Sequence, residues 1–162
     1  MILSLGGLQA QKVNWMSIEQ AEAASKKEPR KVIVDVYTDW CGWCKRMDQT
    51  TFSNPVIAEY INQNYYAVKL DAEQKDSITF KDHTFKFVAQ GRRGYHELAA
   101  ALLNGKMSYP NIVYMNEQMQ VIQAVPGYQD AKSFEKIIKF FGEDHFQNIS
   151  WEDYQKNFVS EL

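Results

Sequence analysis

Apolar positions along this chain change their period several times, and each change marks an element. Val32-Ile33-Val34-Asp35-Val36-Tyr37 is a continuous β-branched run of strand length, which predicts a central strand covered on both faces. Asp35 is its one anomalous residue. Upstream, Val13–Met16 reads as a short strand and Ser17 as a helix N-cap, with Glu19 and Gln20 opening a helix that stops at Glu28-Pro29. Downstream, a helix is expected from Cys41 to about Thr51, then a break at Asn54-Pro55 and a second helical segment through Val56, Ile57, Tyr60 and Ile61. Tyr65–Leu70 is the next strand, with Val68 and Leu70 on one face and Lys69 on the other.

The stretch that follows is less regular. Ile78-Thr79-Phe80 and Thr84-Phe85-Lys86-Phe87 alternate around Lys81-Asp82-His83 and predict a hairpin. Gln90-Gly91-Arg92-Arg93-Gly94 reads as a loop, and Tyr95–Leu103 as an amphipathic helix closed by Asn104-Gly105. A strand at Asn111–Met115, a turn at Asn116-Glu117, a strand at Gln120–Val125 and a helix at Asp130–Phe141 complete the pattern. Residues 148–162 should form a last short helix, capped by Ser150 and packed through Trp151, Tyr154 and Phe158. The order β-α-β-α-β-β-α, with an N-terminal strand and helix added and one hairpin inserted, is that of an α/β fold.

A chain of 162 residues is most simply one domain with a core large enough to need no staples. The formal net charge of −2 and the lack of a basic stripe exclude a nucleic-acid footprint. No apolar stretch approaches the roughly 20 residues of a spanning helix. The first ten residues, MILSLGGLQA, read like the end of a secretory signal cleaved after Ala10, although the positively charged start of such a signal is missing. The alternative is a frayed extension. Residues 11–162 are then expected to be one domain, with an insertion at about 74–94 and a helical C-terminal extension at about 148–162.

Both cysteines of the chain lie in Cys41-Gly42-Trp43-Cys44, directly after the central strand and at the start of a helix. A C-x-x-C so placed is a thiol–disulfide site. Its first sulfur sits at the exposed helix end, where free amide N–H groups and the helix dipole favour a thiolate, and its second lies one turn inside. A zinc half-site would need two more ligands, and His83, His96 and His145 are scattered without such spacing. A purely structural role fits poorly, because a loop this short constrains little unfolded-chain entropy.

The segment Val32–Lys45, VIVDVYTDWCGWCK, resembles the active-site region of thioredoxins, including Trp40 before the first cysteine and Asp35 six positions upstream of it. Thr51-Phe52-Ser53-Asn54-Pro55 is more similar to the thioredoxin-like domain of the transmembrane disulfide reductase DsbD and related secreted proteins. The resemblance implies a thioredoxin fold, three α/β/α layers around a mixed central sheet, in which Cys41 attacks a substrate disulfide, Cys44 resolves the mixed disulfide, and Asp35, desolvated within its strand, manages the proton of Cys44. It also implies a cis bond at Pro110, leaving the Tyr109 backbone free to pair with a substrate chain, and an apolar platform from Trp40 and Trp43. Lys69 matches a lysine near the acid, or is merely solvated; Gly127 matches a glycine in a loop near the site.

One departure stands out. Reductants of this family usually have proline where Trp43 stands, so an additional amide N–H is expected beside Cys41. The function implied is a protein-disulfide oxidoreductase, working as a reductase on protein disulfides without a bound cofactor or metal. Its electrons would come from an upstream dithiol protein, a membrane reductase if the location is periplasmic or secreted rather than cytoplasmic. The alternatives are an isomerase or oxidase with the same residues, or a binding module that grips a partner with residues 77–94.

Overall fold

The computed structural model of the protein describes residues 11–162. Its elements run β1 (Trp15–Met16), α1 (Ile18–Lys27), β2 (Lys31–Tyr37), α2 (Gly42–Thr50), α3 (Pro55–Asn64) and β3 (Tyr65–Asp71). Two hairpins follow, β4 (Ile78–Phe80) with β5 (His83–Phe85), and β6 (Phe87–Gln90) with β7 (Arg93–His96). The chain continues through α4 (Glu97–Leu102), β8 (Asn111–Met115), β9 (Val121–Pro126), α5 (Ala131–Gly142) and α6 (Trp151–Asn157).

The five-stranded sheet has the order β1-β3-β2-β8-β9. β2 lies at its centre, parallel to β3 and antiparallel to β8, with Asp35 opposite Lys69 on one side and Ile112 on the other. Side chains alternate between the faces, so the sheet divides the core in two. One layer joins Ile33, Ala67, Ile112 and Tyr114 to Met47 of α2, Ile57 and Ile61 of α3 and Phe134 and Ile138 of α5. The other joins Val32, Val34, Val36, Val68 and Leu70 to Ile18 of α1, Ile78 and Phe80 of the first hairpin and Leu98 of α4. The expected three-layer α/β/α arrangement is therefore present, and β2 is covered on both faces.

Local chemistry sets the helix boundaries. Ser17 Oγ accepts the Gln20 amide at 3.1 Å while Gln20 Oε1 accepts the Ser17 amide at 2.9 Å, a reciprocal capping box. Asn54 caps α3 through Val56 and Ile57, with Pro55 at the first helical position. Asp130 caps α5 and Ser150 caps α6. Trp151 and Tyr154 of the C-terminal extension pack against Phe140.

Two expectations need correction. The Gln90–Gly94 segment is the tip of a second hairpin, Phe87–His96, turning at Gly91-Arg92; Phe87 starts it rather than ending the first hairpin, and Tyr95 and His96 are its last strand residues, so α4 starts only at Glu97. Turn residues with no apolar alternation hid this strand pair. His96 is fully buried and caps α4, its Nδ1 accepting the Leu98 amide at 3.2 Å while Nε2 lies 3.1 Å from the Asp76 carbonyl. The suggested signal remnant at 1–10 falls outside the described residues.

Met47 is the residue that seats the first turns of α2 on the sheet, being fully buried in the layer that holds Ile57 and Phe134. Met47→Ala should cost about 2–5 kcal/mol of unfolding free energy, measured by urea denaturation of the oxidised protein.

Candidate active site

β2 ends at Tyr37, and the chain turns through Thr38 and Asp39 to deliver Cys41 as the N-cap of α2. The turn closes with the Cys41 amide donating to the Thr38 carbonyl at 3.2 Å. Cys41 and Cys44 form a disulfide with their Cα atoms 5.3 Å apart. Cys41 Sγ also accepts the Cys44 backbone N–H at 3.1 Å. A sulfur in this position is held where a helix N-terminus stabilises negative charge, which favours the thiolate of Cys41 once the pair is reduced.

Two details differ from expectation. Cys41 was expected at an exposed end, yet it is 5% exposed against 3% for Cys44. What distinguishes the two sulfurs is capping geometry, since both are buried and only Cys41 Sγ accepts an amide of the helix's first turn. The amide that reaches Cys41 is that of Cys44, whereas an additional donor was anticipated at Trp43. A proline at position 43 would leave this hydrogen bond in place.

The Tyr109-Pro110 peptide bond is cis, as the resemblance implied. Pro110 directly precedes β8, and its carbonyl accepts the Gly127 amide at 2.9 Å, tying the proline loop to the end of β9. Gly127 has φ +95°, a conformation that favours glycine. Trp43, Tyr109, Pro110, Gly127 and Tyr128 line one cavity of about 300 Å³ beside the disulfide. Trp43 leans on Tyr128 at 5.3 Å between ring centroids, and Trp40 meets Tyr109 edge-on at 5.9 Å. Both tryptophans remain more than half exposed, at 52% and 58%.

Beneath the pair lies a charge. Asp35 is 2% exposed and points into the layer that contains Met47 and Phe52. Its Oδ2 meets Lys69 Nζ at 2.5 Å, and the same ammonium meets Asp48 Oδ1 of α2 at 2.5 Å. The Trp15, Tyr37 and Phe52 rings surround that ammonium at 4.8, 5.0 and 5.5 Å from their centroids. Asp35 Oδ1 has no hydrogen-bond partner among the described residues. Desolvation pushes the Asp35 carboxyl up to about 6 despite the opposing pull of Lys69. Lys69 is held above its ordinary value by the two carboxylates, which outweigh its own burial, and so stays charged.

The sequence expectation therefore brings Cys41, Cys44, Trp40, Trp43, Tyr109 and Pro110 together at one surface, with Asp35 in the layer below. Lys69, for which solvation was the competing reading, is bound to the acid. Three residues were not anticipated. Asp48 could have been found from helix spacing, since it stands four residues after Cys44 on the same face. Trp15 and Tyr128 carried no local cue, because only tertiary packing brings them to the site. Among the described residues no cluster of three or more His, Cys, Asp or Glu side chains is arranged to hold a metal. Nor, among those residues, is any helix long and apolar enough to cross a membrane.

A β1-β3-β2-β8-β9 sheet with a redox-capable C-x-x-C at the start of α2 and a cis proline before β8 defines a thioredoxin-fold thiol–disulfide protein. The family model of the thioredoxin-like domain matches residues 18–142, and the chain belongs to that family. Among curated relatives, the thiol:disulfide interchange protein DsbD of Pectobacterium atrosepticum is 34% identical over 47 residues, 29% of this chain and 8% of that one. An uncharacterised protein of Archaeoglobus fulgidus is 33% identical over 69 residues, 41% of this chain and 54% of the other. The first curated relatives are much longer proteins, and the chain spans only 8–11% of their length. Among solved structures, the DsbH oxidoreductase superposes with a TM-score of 0.60 at 16% identity, covering 83% of this chain and 87% of that one. A putative disulphide-isomerase from Bacteroides thetaiotaomicron gives 0.57 at 22% identity, covering 84% and 97%.

Raising the folded-state pKa of Asp35 from 3.8 to about 6 disfavours the fold when the carboxyl ionises, by about 3 kcal/mol. The native state binds the extra proton, so this contribution is neutral below about pH 4, grows unfavourable between about pH 4 and 6, and is constant above. Asp35→Asn removes the penalty but also one partner of Lys69, which keeps Asp48, leaving a net gain of about 1–2 kcal/mol at pH 7. Urea unfolding of both proteins across pH 4–8 should show the gap opening between about pH 4 and 6; a gap of constant size would assign Asp35 a role unrelated to its charge.

Proposed function

We propose that the protein reduces disulfides of polypeptide substrates, drawing electrons from an upstream dithiol protein. The single observation that carries the reading is Cys41 Sγ at the N-cap of α2, accepting the Cys44 amide, with a docking cavity beside it. In the reduced protein the Cys41 thiolate attacks one sulfur of the substrate disulfide. A mixed disulfide forms, and the first substrate thiolate leaves and takes a proton from solvent. Cys44, deprotonated with Asp35 as the buried base, then attacks Cys41 Sγ. The mixed disulfide breaks, the second substrate thiolate departs, and the Cys41–Cys44 disulfide re-forms for reduction by the donor.

Asp35 suits this part because it ionises near neutral pH, and Lys69 and Asp48 link it to the protein surface. Trp40, Trp43, Tyr109 and Pro110 form the docking surface, where the Tyr109 backbone meets an extended substrate segment. Residues 11–162 act as one domain. The likeness to DsbD and DsbH supports a periplasmic or secreted setting with a membrane reductase as donor, and the same residues with a higher potential would serve an isomerase or oxidase.

Insulin reduction with a dithiol donor tests the reading. Wild type should accelerate precipitation of the insulin B chain, and Cys41→Ser should abolish the effect. Cys44→Ser should accumulate mixed disulfides visible on non-reducing gels and released by dithiothreitol. Capture by Cys41→Ser alone would reverse the two roles, and a wild type without turnover would favour a binding module.

A further inference from the structure

The second inserted hairpin reaches the redox site. Arg93, the first residue of β7, holds its guanidinium 4.6 Å from the Trp40 ring centroid. Trp40 is otherwise fixed at two points, by its Nε1–H donating to Glu73 Oε1 at 3.1 Å and by the edge of Tyr109. Trp43, by contrast, meets Tyr128 at 5.3 Å and Arg46 of its own helix at 6.0 Å, with no cation or ring contact from the hairpin among the described residues. The residue immediately before the attacking cysteine is thus clamped from three separate segments, one of them absent from the minimal fold.

The hairpin is built as a stiff arm. Its base is fastened by the His96 amide to the Ala72 carbonyl at 2.6 Å and by a double link between Lys86 and Glu97, with amide–carbonyl and amide–carboxylate bonds of 2.9 and 2.7 Å. Lys75 Nζ lies 3.4 Å from the Phe87 ring centroid. Gly94 is pressed so closely that a Cβ there would fall 2.3 Å from both the Phe87 ring and the Val88 carbonyl oxygen. An arm with that packing cannot tilt without losing contacts.

Arg93 is exposed, and no carboxylate lies within ion-pair distance of it among the described residues. Glu73, the acid on the same indole, accepts the Trp40 Nε1–H. Stacking on Trp40 is the contact that holds the guanidinium.

We infer that Arg93 is a positioning residue for substrate docking, and that the Phe87–His96 hairpin is a wall of the docking surface serving polypeptide disulfides rather than small ones. The inference rests on the oxidoreductase reading above. A polypeptide lying across Trp40 and Tyr109 meets an indole whose orientation is already set, which lowers the ordering cost of binding. A small disulfide reaches the sulfurs without covering Trp40 and gains nothing from the clamp.

Steady-state reduction of insulin and of 2-hydroxyethyl disulfide, with dithiothreitol as donor, tests the inference in wild type, Arg93→Ala, Arg93→Lys, Trp40→Ala and the Arg93→Ala/Trp40→Ala double variant. Arg93→Ala should raise the KM for insulin about two- to five-fold, the size of an exposed cation–π contact, with kcat retained. The ratio of kcat/KM for insulin to that for the small disulfide should fall by the same factor. Lysine should restore most of it. In the Trp40→Ala background the arginine substitution should add nothing, as expected of two residues acting through one contact. An unchanged insulin KM, an equal loss on both substrates, or an undiminished effect without Trp40 would each overturn the inference. A wild type inactive on both disulfides would overturn the oxidoreductase reading and this inference with it, whereas an active wild type with a silent Arg93→Ala overturns the inference alone.

Discussion

The structure turns on one conflict: its central strand must be apolar on both faces, and it carries a carboxylate. β2 is flanked by β3 and β8 and covered by helices above and below, so Asp35 has no route to water through its own side chain. A buried carboxylate without a partner would neutralise or destabilise the fold. Here Lys69 stands directly across the parallel pairing and answers it. The lysine is answered in turn by Asp48 at the rim, and its ammonium is enclosed by the rings of Trp15, Tyr37 and Phe52. The charge is thereby tolerated without being extinguished, which leaves Asp35 titrating near neutral pH in the layer beneath the active-site helix.

The redox pair depends on that same strand and on the helix it launches. β2 aims the chain at the start of α2, Met47 fixes the helix to the sheet, and the first turn offers its amide to Cys41. Other segments complete the surroundings of the two tryptophans: the cis-proline loop and the Gly127-Tyr128 turn line a cavity with Trp43, and the inserted hairpin reaches Trp40 through Arg93. The surroundings of the redox pair thus combine Trp40 and Trp43 of the cysteine segment with residues distant from it in sequence.

Much of this was legible in the sequence because the relevant cues are local. Ser17, Asn54, Asp130 and Ser150 announce helix starts by side-chain capping, and the run around Asp35 announces a doubly covered strand by its composition. Cys41, Cys44, Asp35 and Pro110 were found by spacing and order along a recognisable plan. What escaped was decided by packing over long separations. Residues 87–96 form a hairpin whose strands are held by Gly94 against Phe87, a contact that leaves no alternating pattern. Likewise nothing near Trp15, Tyr128 or Arg93 in the sequence points to the cysteines. Exposure of Cys41 was misjudged for a related reason: its place at a helix N-terminus is visible in the sequence, whereas its burial depends on how the assembled fold packs around it.

The account makes Asp35 a buried acid that still exchanges its proton near physiological pH, and its carboxyl titration tests this most directly. In protein labelled with carbon-13 at the aspartate carboxyls, the Asp35 resonance of the oxidised form, assigned by comparison with Asp35→Asn, should titrate with an apparent pKa of about 6. Replacing Lys69 by methionine should move that midpoint upward, because the opposing charge is removed. A midpoint at the ordinary aspartate value near 3.8 would contradict the account.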